Sequence, residues 1–300
     1  MNIISSLNFN KSFIHQLFEM ADNFKKNNNQ IKNVLQGKIL INAFFEPSTR
    51  TSTSFECAMY RLGGNVISFR DINSSTQKGE TFEDTIKTLS TFADVMVLRH
   101  PDKHKIQNAI TCSSIPIING GNGNGEHPSQ ALLDLYSIYY KFGVNFKTKS
   151  ILFVGDVKNS RTIHSLLNLI HLYPQMKIYF LPYKNLEPSE DMIQKISEFH
   201  KQDYSSIVQK WENINYSLFD VVYCTRLQKE RTKENNNIFI IDNRFVNKLK
   251  KDCIIMHPLP RNEELKTEID DNPRCFYFIQ MECGIYIRMA LLNYILNNGK

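Results

Sequence analysis

The chain has 300 residues, 42% of them hydrophobic, with 36 basic against 30 acidic side chains and a formal net charge of +6. This composition suits one or two ordinary globular domains with a substantial core and excludes a fibrous or intrinsically disordered chain. The lysines are dispersed among acids and asparagines instead of forming a stripe, which argues against a nucleic-acid partner and leaves anion-holding pockets as a use for the positive excess.

The N-terminus lacks a charged region followed by a long apolar core. The longest apolar stretches, such as "ILFVG" and "ALLNYIL", fall well short of the roughly eighteen residues that a membrane span needs. No export signal or membrane segment is therefore expected, and the default compartment is the cytosol. The cysteines (Cys57, Cys112, Cys224, Cys253, Cys275, Cys283) are scattered without a C-x-x-C pair, so neither zinc nor a disulfide framework is indicated.

Taken in order, the apolar runs "KILINAFF", "ADVMVLR", "IPIING", "SILFVGD", "MKIYFLP", "DVVYCTR" and "CIIMHP" have strand length and alternate with helical stretches. The pattern predicts α/β architecture with mainly parallel sheets covered by helices. The first run stops at Pro47 and is followed by Ser48, Thr49, Arg50, Thr51, Ser52, Thr53 and Ser54, where a helix should begin. One hydroxyl suffices for an N-cap. Six around an arginine read as donors for an anion such as phosphate, which a helix N-terminus already favours; a well-capped surface helix is the structural alternative.

The second run leads to Arg99, His100 and Pro101, and the third, through "GGNGNGE", to His127 with Gln130 one helical turn later. The segment "HPSQALLDLYSIYYKFG", 127 to 143, reads as a helix with one apolar face ending at Gly143. A second sheet starts at Ser150, which puts a domain boundary near residues 143 to 150. Lys158 and Arg161 follow "ILFVGD", Arg226 and Gln228 follow "DVVYCT", and His257, Pro258, Leu259, Pro260 and Arg261 follow "CIIM". The last helix, "GIYIRMALLNYILNNGK", is too apolar to stand alone and should fold back onto one of the domains. Asparagine-rich patches at 27 to 29 and 235 to 237 read as loops, and no internal repeat is visible.

Each polar residue alone has a structural reading: solvated arginines, an N-cap histidine, a rigid "HPLP" turn. Their recurrence just past the carboxyl end of nearly every strand points to one shared ligand cleft, because ligands bind there in open parallel sheets. The glycine-rich "GGNGNGEHP" lacks both the P-loop ending and the G-x-G-x-x-G spacing, so a nucleotide is not expected. Its glycines instead let a loop bend to deliver His127.

The motifs "FFEPSTRT" (44 to 51), "SSTQKGET" (74 to 81), "LRHP" (98 to 101), "HPSQALLDL" (127 to 135), "GDVKNSRTIHSL" (155 to 166), "TRLQKER" (225 to 231) and "HPLPR" (257 to 261) together resemble the aspartate carbamoyltransferase catalytic-chain family across the whole sequence. The resemblance implies two doubly wound α/β domains: a carbamoyl-phosphate domain at 1–143, completed by the C-terminal helix 284–300, and an aspartate domain at 144–283. It implies pyrimidine biosynthesis as the role and a homotrimer with shared active sites as the assembly. Regulatory chains are left open, and no cofactor, metal, membrane or nucleic acid is needed. By the family pattern Ser48, Thr49, Arg50 and Thr51 hold the phosphate, and Thr51, Arg99 and His127 converge on the carbonyl oxygen. Gln130 and the backbone carbonyls of Pro258 and Leu259 accept from the carbamoyl amide. Ser75 and Lys78 reach across from a neighbouring subunit. Arg161, Arg226 and Gln228, with Lys78, bind aspartate as the domains close, and Glu46 and Glu230 orient those arginines. Arginine suits this role because it pairs with carboxylates bidentately. Ornithine relatives read H-C-L-P where this chain has Pro258, which favours an acidic acceptor. The loop before "QKGE" is one residue shorter than in enteric relatives, leaving Ser74 or Ser75 in the cross-subunit role, with spacing favouring Ser75. Asn159 stands where allosteric relatives carry tyrosine, and Glu282 and Cys283 replace the usual Asn-Gly.

Overall fold

The protein is represented by a computed structural model that describes residues 1–27, 31, 33–70, 79–228 and 239–298. It divides into two compact units, residues 1–133 with 282–300, and residues 134–281.

In the first unit α1 (Lys11–Lys26) precedes β1 (Ile39–Phe44), α2 (Thr49–Arg61), β2 (Asn65–Arg70), α3 (Phe82–Ser90), β3 (Val95–His100), α4 (His104–Cys112), β4 (Ile117–Asn122) and the start of α5 (Pro128–Phe142). The four strands form a parallel sheet in the order β2-β1-β3-β4. Ile41, Ala43, Met96, Leu98 and Ile117 from the strands pack with Ile86 of α3 and Ile106 and Ala109 of α4. Each fully buried aliphatic side chain contributes about 1.5–3 kcal/mol relative to exposure.

The second unit continues through α5 into β5 (Ser150–Gly155), α6 (Arg161–Ile170), β6 (Lys177–Pro182), α7 (Glu190–His200), α8 (Tyr204–Ile207), β7 (Val221–Cys224), α9 (Asn243–Val246), β8 (Ile254–Met256) and the start of α10 (Tyr277–Asn293). Its strands form a second parallel sheet in the order β6-β5-β7-β8. The two orders are the same pattern, in which the chain winds outward from the first strand and then crosses back to its other side. Each sheet therefore has one switch point, between β1 and β3 in one unit and between β5 and β7 in the other, where consecutive loops diverge and open a crevice.

The seven apolar runs became seven of the eight strands, and the second sheet begins at Ser150 as expected. The strand not anticipated is β2, at an edge of its sheet, where Asn65, Ile67 and Ser68 are exposed and no continuous apolar run marks it. The helix at 127–143 is present, but residues 131–138 are buried around its whole circumference, not on one face. The last helix starts at Tyr277, seven residues before Gly284, and its later turns belong to the first unit: Tyr294 packs edge-on to Phe13 at 4.9 Å and Glu282 pairs with Lys25 at 3.2 Å.

Candidate functional site

The helices differ in how they begin. Asn10, Thr81, Ser189 and Asp242 each cap their helix through a side-chain oxygen. Ser48 and Ser160, at the starts of α2 and α6, make no side-chain cap bond although both residue types cap well. These two helices follow β1 and β5, the strands at the two switch points. At both positions no serine oxygen caps the helix entrance, and helix N-termini in general favour anions.

In the first unit Ser48 is half-buried, while Thr49 and Arg50 are exposed and Thr51 is buried at 6% exposure. Thr51 Oγ1 lies 3.2 Å from His127 Nε2, across the gap between α2 and the start of α5. His127 stands directly before Pro128, a favoured first helical residue, and its carbonyl accepts from the backbone of Gln130 and Ala131 at 3.0 and 3.1 Å. It is thus both the cap-position residue of the structural reading and a ring aimed at Thr51. Gln130 is buried one turn on.

Arg99 ends the apolar run of β3 beside Phe44 of β1 in the sheet register. It is not a solvated charge. Its Nη2 pairs with Glu46 Oε1 at 2.7 Å, its Nη1 donates to Gly120 O at 3.1 Å, and its side chain is 11% exposed. Burial lowers its pKa from the ordinary guanidinium value, opposed by Glu46 and reinforced by the nearby Arg50; guanidinium remains charged regardless. Glu46, expected to orient Arg161 and Arg226, pairs with Arg99. Arg50 and Arg99, the hydroxyls of Ser48, Thr49 and Thr51 and the His127 imidazole thus lie past the carboxyl ends of β1, β3 and β4.

In the second unit the organising group is Asp156, fully buried just past β5 and not among the residues singled out from sequence. It accepts from Asn159 N at 3.0 Å, from Asn159 Nδ2 at 3.1 Å and from Gln228 N at 3.3 Å. Gln228 Nε2 in turn donates to Asn159 O at 3.0 Å. The loops after β5 and β7 are stitched together across the switch point, and they approach closely: a Cβ on Gly155, which has φ +115°, would lie 2.4 Å from Thr225 O. Arg161 opens α6 and Arg226 follows β7, both half-buried, with Arg226 Nη1 3.4 Å from Leu227 O. Lys158 is exposed.

The "HPLP" turn is rigid for a visible reason. His257 Nδ1 accepts from Leu259 N at 2.8 Å, which leaves Nε2 as the protonated nitrogen, 3.1 Å from Glu264 Oε1. Glu264 keeps a lowered pKa: burial opposes ionisation, but hydrogen bonds from His257 and the Asn262 amide outweigh it. His257 N donates to Gln280 Oε1, whose amide donates to Asp134 Oδ1, while Tyr223 OH donates to Asp134 Oδ2 at 2.7 Å. This buried network holds Leu259 at φ +54°, a conformation costly for a branched residue and maintained only where the surroundings over-determine it. Neither Glu264 nor Asp134 was singled out from sequence, because nothing local separates a buried structural acid from a surface one. Arg261, grouped with the cleft cations, is instead engaged by Asp270 through both its terminal nitrogens, with Tyr277 beside them.

Ser74, Ser75, Lys78 and Glu230 lie outside the described residues. Among the described residues no cluster of three or more His, Cys, Asp or Glu could hold a metal ion, and no helix is long and apolar enough to cross a membrane.

Comparison with known proteins gives a consistent result. The family model described as aspartate/ornithine carbamoyltransferase, carbamoyl-P binding domain, matches residues 1–140, and its companion, the Asp/Orn binding domain, matches residues 147–295. The chain is 38% identical over 301 residues to an aspartate carbamoyltransferase catalytic subunit of Alkaliphilus oremlandii, covering 97% of this chain and 89% of that one. It is also 39% identical over 304 residues to the multifunctional protein pyr-3 of Neurospora crassa, covering 99% of this chain; it spans only 13–16% of the length of such multifunctional relatives. Among solved structures, aspartate transcarbamoylase from Trypanosoma cruzi in complex with carbamoyl aspartate and phosphate superposes with a TM-score of 0.88 at 39% identity, covering 98% of this chain and 95% of that one.

Proposed function

The chain belongs to the aspartate/ornithine carbamoyltransferase family, and from that premise we propose that it transfers the carbamoyl group of carbamoyl phosphate to the amino group of L-aspartate, giving N-carbamoyl-L-aspartate and phosphate. The observation that carries this reading is the half-buried Arg99, fixed by Glu46 and Gly120 O, on the same sheet end as the Thr51 and His127 pair. In the reaction the amine nitrogen forms a bond to the carbamoyl carbon and the bond from that carbon to the phosphate oxygen breaks. Negative charge grows on the carbonyl oxygen in between. Donors whose positions are set beforehand by the fold stabilise that charge without reorganising, and removing one from such a site lowers the rate by about 10²- to 10³-fold.

In this assignment Ser48, Thr49, Arg50 and Thr51 grip the phosphate at the entrance of α2. Thr51, Arg99 and His127 donate to the carbonyl oxygen. A neutral His127 suffices, since it polarises and transfers no proton. Gln130 and the carbonyls of Pro258 and Leu259 accept from the amide, a feature acetyl phosphate lacks. Arg161, Arg226 and Gln228 bind the carboxylates of aspartate. Ser75 and Lys78 complete the site from a neighbouring subunit of a homotrimer. The order is carbamoyl phosphate first, and the setting is cytoplasmic pyrimidine biosynthesis. Solved structures of aspartate transcarbamoylase from Trypanosoma cruzi in complex with carbamoyl phosphate, and with carbamoyl phosphate and aspartate, support the substrate pair.

The test is phosphate release from carbamoyl phosphate with a panel of amino-acid acceptors. Release dependent on aspartate is expected. Release dependent on ornithine, or no release with any acceptor, rejects the proposal.

A further inference from the structure

Glu126 immediately precedes His127 and has no role toward either substrate in the assignment above, yet its carboxylate is among the most heavily engaged in the first unit. Ser5 Oγ donates to Oε1 at 2.6 Å, Ser6 N donates to Oε2 at 2.7 Å, and Ser6 Oγ donates to the same Oε2. The residues making these bonds are themselves anchored. Ile3 N donates to Ile117 O at 2.8 Å, Asn119 N to Ile3 O at 2.7 Å, Ile117 N to Asn2 Oδ1 at 2.8 Å, and Asn119 Nδ2 to Ile4 O at 3.0 Å. The N-terminal segment thus runs along β4 with parallel pairing and ends at the carboxylate.

The loop between β4 and His127 is closed on itself. Glu126 N donates to Asn122 Oδ1 at 2.6 Å and Asn122 N to Glu126 O at 3.3 Å, while Gly123 at φ +55° sits so close to Pro101 O that a Cβ would lie 2.0 Å from it. At its end this loop presents the His127 ring to Thr51; Gly120, whose carbonyl meets Arg99 Nη1, lies before it, within β4. A loop of glycines and asparagines has little stiffness of its own. An anion receiving three hydrogen bonds from a paired strand supplies it.

We infer that Glu126 is a positioning residue: clamped by Ser5 and Ser6, it fixes the loop that sets His127 toward the carbonyl oxygen. The inference rests on the role of His127 under Proposed function. The clamp acts on a group that matters in the transition state, and the phosphate grip at residues 48–51 lies on a different loop, so the two should separate experimentally.

In Glu126→Gln the negative charge is lost and one of the two acceptor oxygens becomes a donor, so the three bonds from Ser5 and Ser6 are no longer all charge-assisted. The turnover number should fall roughly ten- to a hundredfold, the cost of a small misplacement of reacting groups, while calorimetric affinity for inorganic phosphate stays within about twofold. The double variant Ser5→Ala/Ser6→Ala breaks the clamp from its other side. It should lower turnover similarly, and combining all three changes should add little, because they remove one interaction. Unchanged turnover in Glu126→Gln, additive losses, or a loss of phosphate affinity in proportion to turnover overturns the inference. If Glu126→Gln does not fold, the serine variants give the same reading. His127→Ala separates the two levels: wild-type turnover there removes the underlying assignment, whereas a large loss in His127→Ala with none in the clamp variants removes the clamp alone.

Discussion

Arg99 is held by two acceptors of different kinds, a carboxylate and a peptide carbonyl, and both use the fixed fork of the guanidinium. Lysine keeps the charge but has one flexible ammonium that cannot meet both acceptors in the same geometry. Arg99→Lys should therefore lower turnover by about 10²- to 10³-fold with little change in the KM for aspartate; steady-state kinetics within about twofold of wild type contradict this. At this scale the sequence was informative about position and poor on partners. Arg99, His127 and Arg161 could be picked out because each stands just past an apolar run, where a parallel sheet presents its ends. That Arg261 is consumed by Asp270, that Glu46 faces Arg99, and that Asp156 ties Asn159 to Gln228 depend on which loops lie side by side. No periodicity encodes such contacts. The positive φ of Leu259 was equally invisible, since it is imposed by His257 and the acid behind it.

Among the elements, α6 and α7 end in a pair of histidines that are kept neutral. His200 Nδ1 lies 2.9 Å from Met176 O, which can only accept, so His200 Nε2 is the bare nitrogen that receives His171 Nδ1–H at 3.0 Å. Burial, with His200 and Lys195 nearby, pushes the His171 pKa down to about 4, and burial lowers that of His200 as well. In the unfolded chain histidine titrates near 6.5. As pH falls below that value the unfolded chain takes up protons that the folded one refuses, so the stability present above about pH 6.5 is lost as pH drops toward 4. The thermal midpoint should fall between pH 7 and pH 5, at about 2–4 °C per kcal/mol for a unit of this size. His171→Asn, whose amide keeps the bond to His200 without titrating, should flatten that fall; equal slopes in the two proteins reject the account. The strands show why elements are legible unevenly. The other seven described strands each coincide with an apolar run, whereas β2 at its sheet edge exposes Asn65, Ile67 and Ser68 and reads like a loop.

For the molecule as a whole, alternating runs and helices were enough to indicate parallel α/β architecture, and the ordered motifs indicated the family. The assembly is a proposal that can be tested directly. If Lys78 serves a neighbouring subunit, Lys78→Gln and His127→Ala are each nearly inactive alone, but trimers formed by unfolding and refolding an equal mixture should regain about a quarter of wild-type activity, since random assembly joins two intact halves that often. No recovery on mixing rejects sharing between subunits. The repeated strand order has a further consequence. Because the donors assigned to the carbonyl oxygen arise from the first sheet while Arg161, Arg226 and Gln228, assigned to the acceptor's carboxylates, arise from the second, exchanging those three should change which amine is accepted and leave the polarising donors untouched.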